Sequence, residues 1–254
     1  MLHVRRFGSG PPLVALHGFT LTGEQFAGSL LCLDRTVYAP DLPGHGFSAG
    51  ISPAMPSTIG LIADVLESTD GDAPLLGYSQ GGRIAVATAI ERPEVVPSLI
   101  LVSTSPGIED TTLRTERAAA DRTLATAMRS VTIDGLLDTW TTRGLTDTSH
   151  LPEDVRQADR AVREQNTPMA LAAALEGLGQ GSQEPVWNRL HELKIPVLIL
   201  YGENDHKYGE YANTMAGLIP EAVAVSISGA GHNPLLDAPD LSYERISGFL
   251  DRFG

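Results

Sequence analysis

Gly77-Tyr78-Ser79-Gln80-Gly81 sets a serine between two glycines, the spacing of a hydroxyl raised on a tight turn between a strand and a helix. Side chains at the glycine positions would crowd such a turn, where the serine backbone is strained. The flanks fit: Ala73-Pro74-Leu75-Leu76 reads as the end of a short buried strand, and Arg83 to Ile90 as an Ala-rich helix. The plainer use of Ser79 is as the N-cap of that helix.

A serine hydroxyl is a weak nucleophile and a weak base at neutral pH, so it needs an imidazole within hydrogen-bond reach and a carboxylate to orient that imidazole. Of the two late histidines, His206 and His232, the second lies in Gly229-Ala230-Gly231-His232-Asn233, a glycine-rich loop just past an apolar run. Asp205, closing Tyr201-Gly202-Glu203-Asn204-Asp205 beyond another apolar run, is the first candidate for the acid, followed by Glu203 and Asp237. Negative charge on a substrate oxygen would be met by the backbone N–H of Gln80, the residue after the serine, and of Phe19 in the early loop His17-Gly18-Phe19. His17 and His45 are expected to brace their loops rather than to titrate in the chemistry.

The elements that must position these groups alternate. Residues 11–16, 36–40, 98–103, 195–202 and 222–227 read as short buried strands, and 24–31, 56–67 and 239–253 as helices. Short apolar strands between helices describe an α/β fold with a mostly parallel sheet covered on both faces. From about residue 106 to 184 the strand rhythm stops and Ala-, Leu- and Arg-rich helical patterns take over. The expected organisation is a core of residues 1–105 and 185–254, with 106–184 a helical cap inserted after the strand at 98–103, over the edge where open α/β sheets bind ligands.

The chain has 254 residues, enough for one large core, with 18 basic and 31 acidic side chains and a formal charge of −13. That field argues against nucleic acid or an anionic membrane as partner. Cys32 is the single cysteine, in an apolar run that suggests packing, and excludes an internal disulfide. No apolar run approaches a membrane span and the first residues lack a signal-peptide core, so a cytoplasmic protein is expected, monomeric or a small homo-oligomer. No metal-ligand spacing or dinucleotide fingerprint stands out, and no cofactor is expected.

Taken together, His17-Gly18-Phe19, Asp41-Leu42-Pro43-Gly44-His45-Gly46, Gly77-Tyr78-Ser79-Gln80-Gly81-Gly82-Arg83, Gly202-Glu203-Asn204-Asp205 and Gly229-Ala230-Gly231-His232 resemble the α/β-hydrolase superfamily over nearly the whole chain. The resemblance implies that fold and a Ser79–His232–Asp205 triad. More narrowly, the chain resembles the 2-succinyl-6-hydroxy-2,4-cyclohexadiene-1-carboxylate (SHCHC) synthases of menaquinone biosynthesis. Arg83, Ser105-Pro106-Gly107-Ile108, Glu116-Arg117-x-x-x-Asp121-Arg122-x-Leu124-Ala125, Trp140, Arg163-Glu164-Gln165-Asn166 and the run from Ala170 to Leu175 carry that likeness. It implies a lyase that eliminates pyruvate from a polycarboxylated cyclohexene, with Ser79 as a base. Arg83, Arg122 and Arg163 would bind substrate carboxylates, and Tyr78 and Trp140 would line the pocket. Gln80 stands where the family is expected to hold an apolar residue, but only its backbone need serve an oxyanion.

The basic residues are mostly arginine, Lys194 and Lys207 being the only lysines, which suits bidentate binding of carboxylates. Arg156, Arg160 and Arg163 follow i, i+4, i+7 and could equally form a solvated helix face with Glu153 and Glu164. The same triad would serve a carboxylesterase, a thioesterase or a carbon–carbon bond hydrolase, none of which gives the arginines a joint role. A binding protein that merely keeps the hydrolase shell would have no use for the three catalytic groups.

Overall fold

The apolar runs form the centre of a seven-stranded sheet in the computed structural model, which describes residues 1–28, 35–69, 71–142, 144 and 147–254. The strands β1 (Val4–Phe7), β2 (Pro12–Leu16), β3 (Thr36–Pro40), β4 (Leu75–Tyr78), β5 (Leu99–Val102), β6 (Val197–Gly202) and β7 (Ala222–Ile227) lie in the order β1-β3-β2-β4-β5-β6-β7. β1 runs antiparallel to β3, and the other pairs are parallel.

The helices are α1 (Met55–Glu67), α2 (Gln80–Glu91), α3 (Thr111–Met128), α4 (Ile133–Trp140), α5 (Glu153–Arg163), α6 (Pro168–Leu178), α7 (His206–Leu218), α8 (Pro234–Asp237) and α9 (Pro239–Phe253). Because side chains alternate along a strand, each central strand feeds two cores. Val14, Leu16, Leu75, Leu99, Leu101 and Ile199 pack with Ile62 of α1, Ile84 of α2 and Met215 of α7 on one face. Leu13, Ala15, Leu76, Ile100 and Leu198 pack with Ile246, Phe249 and Leu250 of α9 on the other.

The segment between β5 and β6 is helical, as the change of rhythm indicates. Asp110, Thr132 and Thr167 accept backbone N–H bonds at the starts of α3, α4 and α6, as N-caps do. These helices build a small core of their own from Ala125, Met128, Leu136, Leu171, Ala172 and Leu175, against which Phe19 of the sheet's early loop packs.

Of the helix expected over 24–31, residues 24–28 do not form it and residues 29–31 lie outside the described residues. A one-turn 3-10 segment, Gly23–Phe26, capped by the Thr22 hydroxyl, takes its place, and Cys32 lies outside the described residues. Among the described residues no helix is long and apolar enough to cross a membrane.

The turn from β4 into α2 lies directly on β2. A Cβ on Gly81 would sit 2.4 Å from the Leu16 carbonyl oxygen and 2.7 Å from that of His17, and one on Gly77 would sit 2.5 Å from the Gly81 carbonyl. Backbone atoms of buried strands cannot yield as a flexible side chain can. Gly81→Ala should therefore lose roughly 1–3 kcal/mol in urea unfolding, the scale of overpacking. Gly217→Ala, at a helix position with open space around it, should lose nothing and gain up to about 1 kcal/mol. Equal behaviour of the two variants would contradict the close approach.

Candidate active site

Ser79 occupies φ 50°, ψ −107°, a conformation costly for any residue with a side chain. Hydrogen bonds hold it there: its N–H donates to Val102 O at 2.9 Å, and its carbonyl accepts from the Thr104 hydroxyl at 2.8 Å and from Arg83 N–H at 3.2 Å. The strain turns the side chain away from the helix it precedes. Ser79 makes no N-cap hydrogen bond, and its Oγ instead lies 3.1 Å from His232 Nε2.

His232 Nδ1 lies 2.6 Å from Asp205 Oδ2, and both residues are buried. A carboxylate at that distance fixes the tautomer: Nδ1 carries the proton and Nε2 turns its lone pair to the serine hydroxyl. Asp205 has a second task, because its Oδ1 caps α7 by accepting from Tyr208 N–H at 3.5 Å. The imidazole is flanked by two tyrosine rings, Tyr78 at 5.8 Å and Tyr208 at 4.5 Å between centroids.

The other two candidate acids do different work. Glu203 accepts from Gly229 N–H and the Ser228 hydroxyl, which hold its carboxyl below the usual range. Asp237 accepts from Gly231 N–H at 2.7 Å and meets His150 at 3.1 Å, tying down the loop that carries His232.

Among the described residues no protein acceptor takes the backbone N–H of Phe19 or Gln80. Gln80 opens α2, so its N–H belongs to the unsatisfied first turn. The Phe19 loop is braced from several sides. His17 accepts from Leu42 N–H through Nε2 at 2.9 Å, with Nδ1 2.8 Å from Gly18 O, and His45 meets the Phe19 ring edge-on at 5.7 Å. Thr20, with φ 69°, is bonded through its hydroxyl to Arg163 and through its carbonyl to Asn166 Nδ2 at 2.8 Å.

A cavity of about 420 Å³ opens over Ser79 and His232. It is lined by Phe19 and Trp140, whose rings meet edge-on at 5.3 Å, and by Tyr78 and Arg163. Arg83, Arg117, Gln180, Lys207 and Tyr208 line the same space. Four cations thus face the space, although the chain as a whole is strongly acidic.

The cations differ in how far they are neutralised. Arg163 grips Asp159 through Nε at 2.7 Å and Nη2 at 3.1 Å, and Arg117 pairs with Asp121 at 2.8 Å. Arg83 is 5% exposed and donates only to neutral groups, Gln183 Oε1 at 2.6 Å and Leu178 O at 2.7 Å. Burial pulls its guanidinium down to about 10, still charged at neutral pH. Arg83 and Lys207 have no carboxylate partner among the described residues.

The structure thus brings Ser79, His232, Phe19, Gln80, Tyr78, Arg83, Trp140 and Arg163 together around one cavity, with Asp205 behind His232, and leaves Arg122 out. Arg122 is exposed on the outer face of α3 and does not line the cavity. The inward face of that helix is set by Asp121, Ala125 and Met128, and a residue one position from Asp121 is turned away by about 100°. Arg117, four residues before Asp121, shares its face and takes the inward position. Arg156 and Arg160 pair with acids on the solvated side of α5, whereas the last turn carries Arg163 onto Thr20. Lys207, Tyr208 and Gln180 carried no motif of their own; the position of Lys207 and Tyr208 just after Asp205 was the available signal.

A family model described as alpha/beta hydrolase fold matches residues 11–239. A Bacillus subtilis (strain 168) protein with the provisional name 2-succinyl-6-hydroxy-2,4-cyclohexadiene-1-carboxylate synthase is 32% identical, covering 94% of this chain and 89% of its own length. The synthase of that name from Enterobacter sp. (strain 638) is 33% identical over 90% of this chain and 87% of its own. Among solved structures, MenH from S. aureus superposes with a TM-score of 0.93 at 32% identity, covering 99% of this chain and 98% of that one.

Burial pulls His17 down to about 4, and His45, buried beside it, is lowered too. A neutral His17 is what its geometry demands, since a protonated Nε2 could not accept from Leu42 N–H. The unfolded chain binds this proton more readily than the folded one, so stability contributed by neutral His17 is complete above pH 6.5. It falls by about 1.4 kcal/mol per pH unit as pH drops from 6.5 to 4. Imidazole NMR should find His17 uncharged at pH 5; titration at its ordinary value of 6.5 would contradict the brace.

Proposed function

This chain belongs to the α/β-hydrolase fold family, within the SHCHC synthases, and we propose that it eliminates pyruvate from a 2-succinyl-5-enolpyruvyl-6-hydroxycyclohexene-carboxylate. The observation that carries this reading is the set of cations around Ser79, above all Arg83, a buried guanidinium with no carboxylate of its own among the described residues. A substrate with three carboxylates supplies what such a site lacks, and charge-assisted pairs are strong in a desolvated cavity.

The ring hydrogen beside the succinyl ketone is the acidic one. Ser79 Oγ removes it while passing its own proton to His232 Nε2, and Asp205 steadies the imidazolium that results. The electron pair spreads into the ketone, whose oxygen sits between the N–H groups of Phe19 and Gln80, donors that need no reorganisation. The ring double bond then shifts and the bond from ring carbon to enolpyruvyl oxygen breaks. The released enolpyruvate takes a proton on carbon to become pyruvate, so no water is added and no co-reactant is consumed.

Arg83 and Arg117 bind carboxylates on one side of the cavity. Arg163 already has both its nitrogen pairs engaged, and serves chiefly to hold Thr20, hence the Phe19 N–H, in place. Helices α3 to α6, within residues 106–184, act as a cap over the site, with Trp140 against Phe19. We place the reaction in the cytoplasm, where a small anionic substrate would reach an acidic protein by way of a locally cationic cavity.

Pyruvate release can be followed by coupling to NADH oxidation. Ser79→Ala should lower kcat on the order of a thousandfold or more. Arg117→Met should raise KM by roughly ten- to a hundredfold, the weight of a charged hydrogen bond, whereas Arg122→Met should leave both constants within about twofold. The opposite ranking of the two arginines would overturn the assignment. Rapid cleavage of a p-nitrophenyl ester with no pyruvate release would establish a hydrolase instead.

A further inference from the structure

Arg117, Gln180 and Tyr208 form a chain whose hydrogen positions are dictated by its first member. Arginine can only donate, so the Gln180 oxygen must be the atom 2.9 Å from Arg117 Nη1. The Gln180 amide nitrogen then donates to Tyr208 Oη at 3.1 Å. Tyr208 is thereby an acceptor along the chain, and its own O–H is directed elsewhere. Among the described residues no group accepts it, although Tyr208 is only 6% exposed. The residue lines the cavity that holds Ser79 and His232, its ring 4.5 Å from the imidazole. Burial raises its pKa, so the phenol keeps its proton. A buried, oriented donor with no acceptor leaves a hydrogen bond for a ligand to complete, and the cations around it say that the ligand oxygen is anionic or becomes so.

We propose that Tyr208 donates this hydrogen bond to the enolpyruvyl ether oxygen and stabilises the charge that gathers there as the carbon–oxygen bond breaks. The proposal rests on the lyase reading above. Two features favour this oxygen over a substrate carboxylate. Tyr208 packs on the base assembly itself, next to where bonds change. Lys207 Nζ, 6.0 Å from the Tyr208 ring, lines the same cavity and can hold the enolpyruvyl carboxylate, which would bring the neighbouring ether oxygen to the phenol. The electron pair of the breaking bond leaves on that oxygen. Tyr208 retains its proton, and the ring proton travels through Ser79 and His232 as before. Gln180 is a positioning residue, since it turns the phenol O–H toward the ligand.

Tyr208→Phe keeps the ring against His232 and deletes only the hydroxyl. With the enolpyruvyl substrate, kcat should fall on the order of a hundredfold, the effect of losing one such donor, while KM stays within about twofold. With the corresponding 3-fluoroenolpyruvyl substrate, whose leaving oxygen is less basic and needs less help, the deficit should shrink to below about tenfold. Labelling of Ser79 by a fluorophosphonate at the wild-type rate reports an intact triad in the variant. An equal loss on both substrates would mark a structural hydroxyl, and a raised KM with unchanged kcat would mark a carboxylate grip; either overturns the proposal, as does no loss at all. Wild-type turnover in the same assay tests the lyase reading separately. If the wild type releases no pyruvate, that reading fails and this one with it; if it does and Tyr208→Phe matches it, only the role of Tyr208 is lost.

Discussion

The strained backbone of Ser79 is the constraint on which the rest of the site depends. A residue held at φ 50° and ψ −107° cannot cap the helix that follows it, so its hydroxyl is free to meet His232 and the first N–H of α2 is free to meet a substrate. Such a conformation costs about 1–3 kcal/mol and persists only where neighbours over-determine it. Here the neighbours are the paired strands β4 and β5, the Thr104 hydroxyl, and the contact between α2 and β2 that glycine at positions 77 and 81 permits. Loop and sheet are thus parts of one device: the approach that strains Ser79 also brings His17 and the Phe19 loop to the same edge.

The second constraint is electrostatic. A protein of formal charge −13 gathers four cations around a single cavity and, among the described residues, neutralises only two of them with near carboxylates. The neutralised ones build structure as well as lining the cavity: Asp159 and Thr20 hold Arg163 across two segments, and Arg117 orders Gln180 and, through it, Tyr208. The un-neutralised ones, Arg83 and Lys207, await charge from outside. A desolvated guanidinium without a counterion is costly to keep, which makes Arg83 a strong pointer to an anionic ligand. Its two neutral acceptors meet its geometry without cancelling its charge.

Much of this was legible in the sequence because the signals are local. Short apolar runs gave strands within a residue or two of their places, and the serine turn, the Asp205 loop and the His232 loop each carry their own spacing. What was not legible depended on which side of an element faces inward. Arg117 and Arg122 lie five residues apart on one helix, and both stand in the same quoted run; only the packing of Asp121, Ala125 and Met128 decides which of them reaches the cavity. β1, with the sequence Val-Arg-Arg-Phe, is an edge strand whose arginines hide the alternation, and it forms because β3 offers it partners. Among the described residues of the expected helix, 24–28, a single turn at Gly23–Phe26 forms instead, its start fixed by Thr22 and by Asp41 accepting from Gly23 N–H. Tyr208 was hidden for another reason: its hydroxyl acquires a direction only through Gln180 and Arg117, which lie far away in the chain.

The central claim is that Ser79 acts as a base on carbon rather than as a nucleophile on a carbonyl. A single-turnover comparison of substrate with hydrogen or deuterium on the ring carbon bearing the succinyl group tests it most directly. Proton removal in the transition state predicts that pyruvate appears several-fold more slowly from the deuterated substrate, with no acyl-enzyme on Ser79 at any time point by mass spectrometry. Equal rates from the two substrates, together with a covalent adduct on Ser79, would contradict the account and return the triad to acyl transfer.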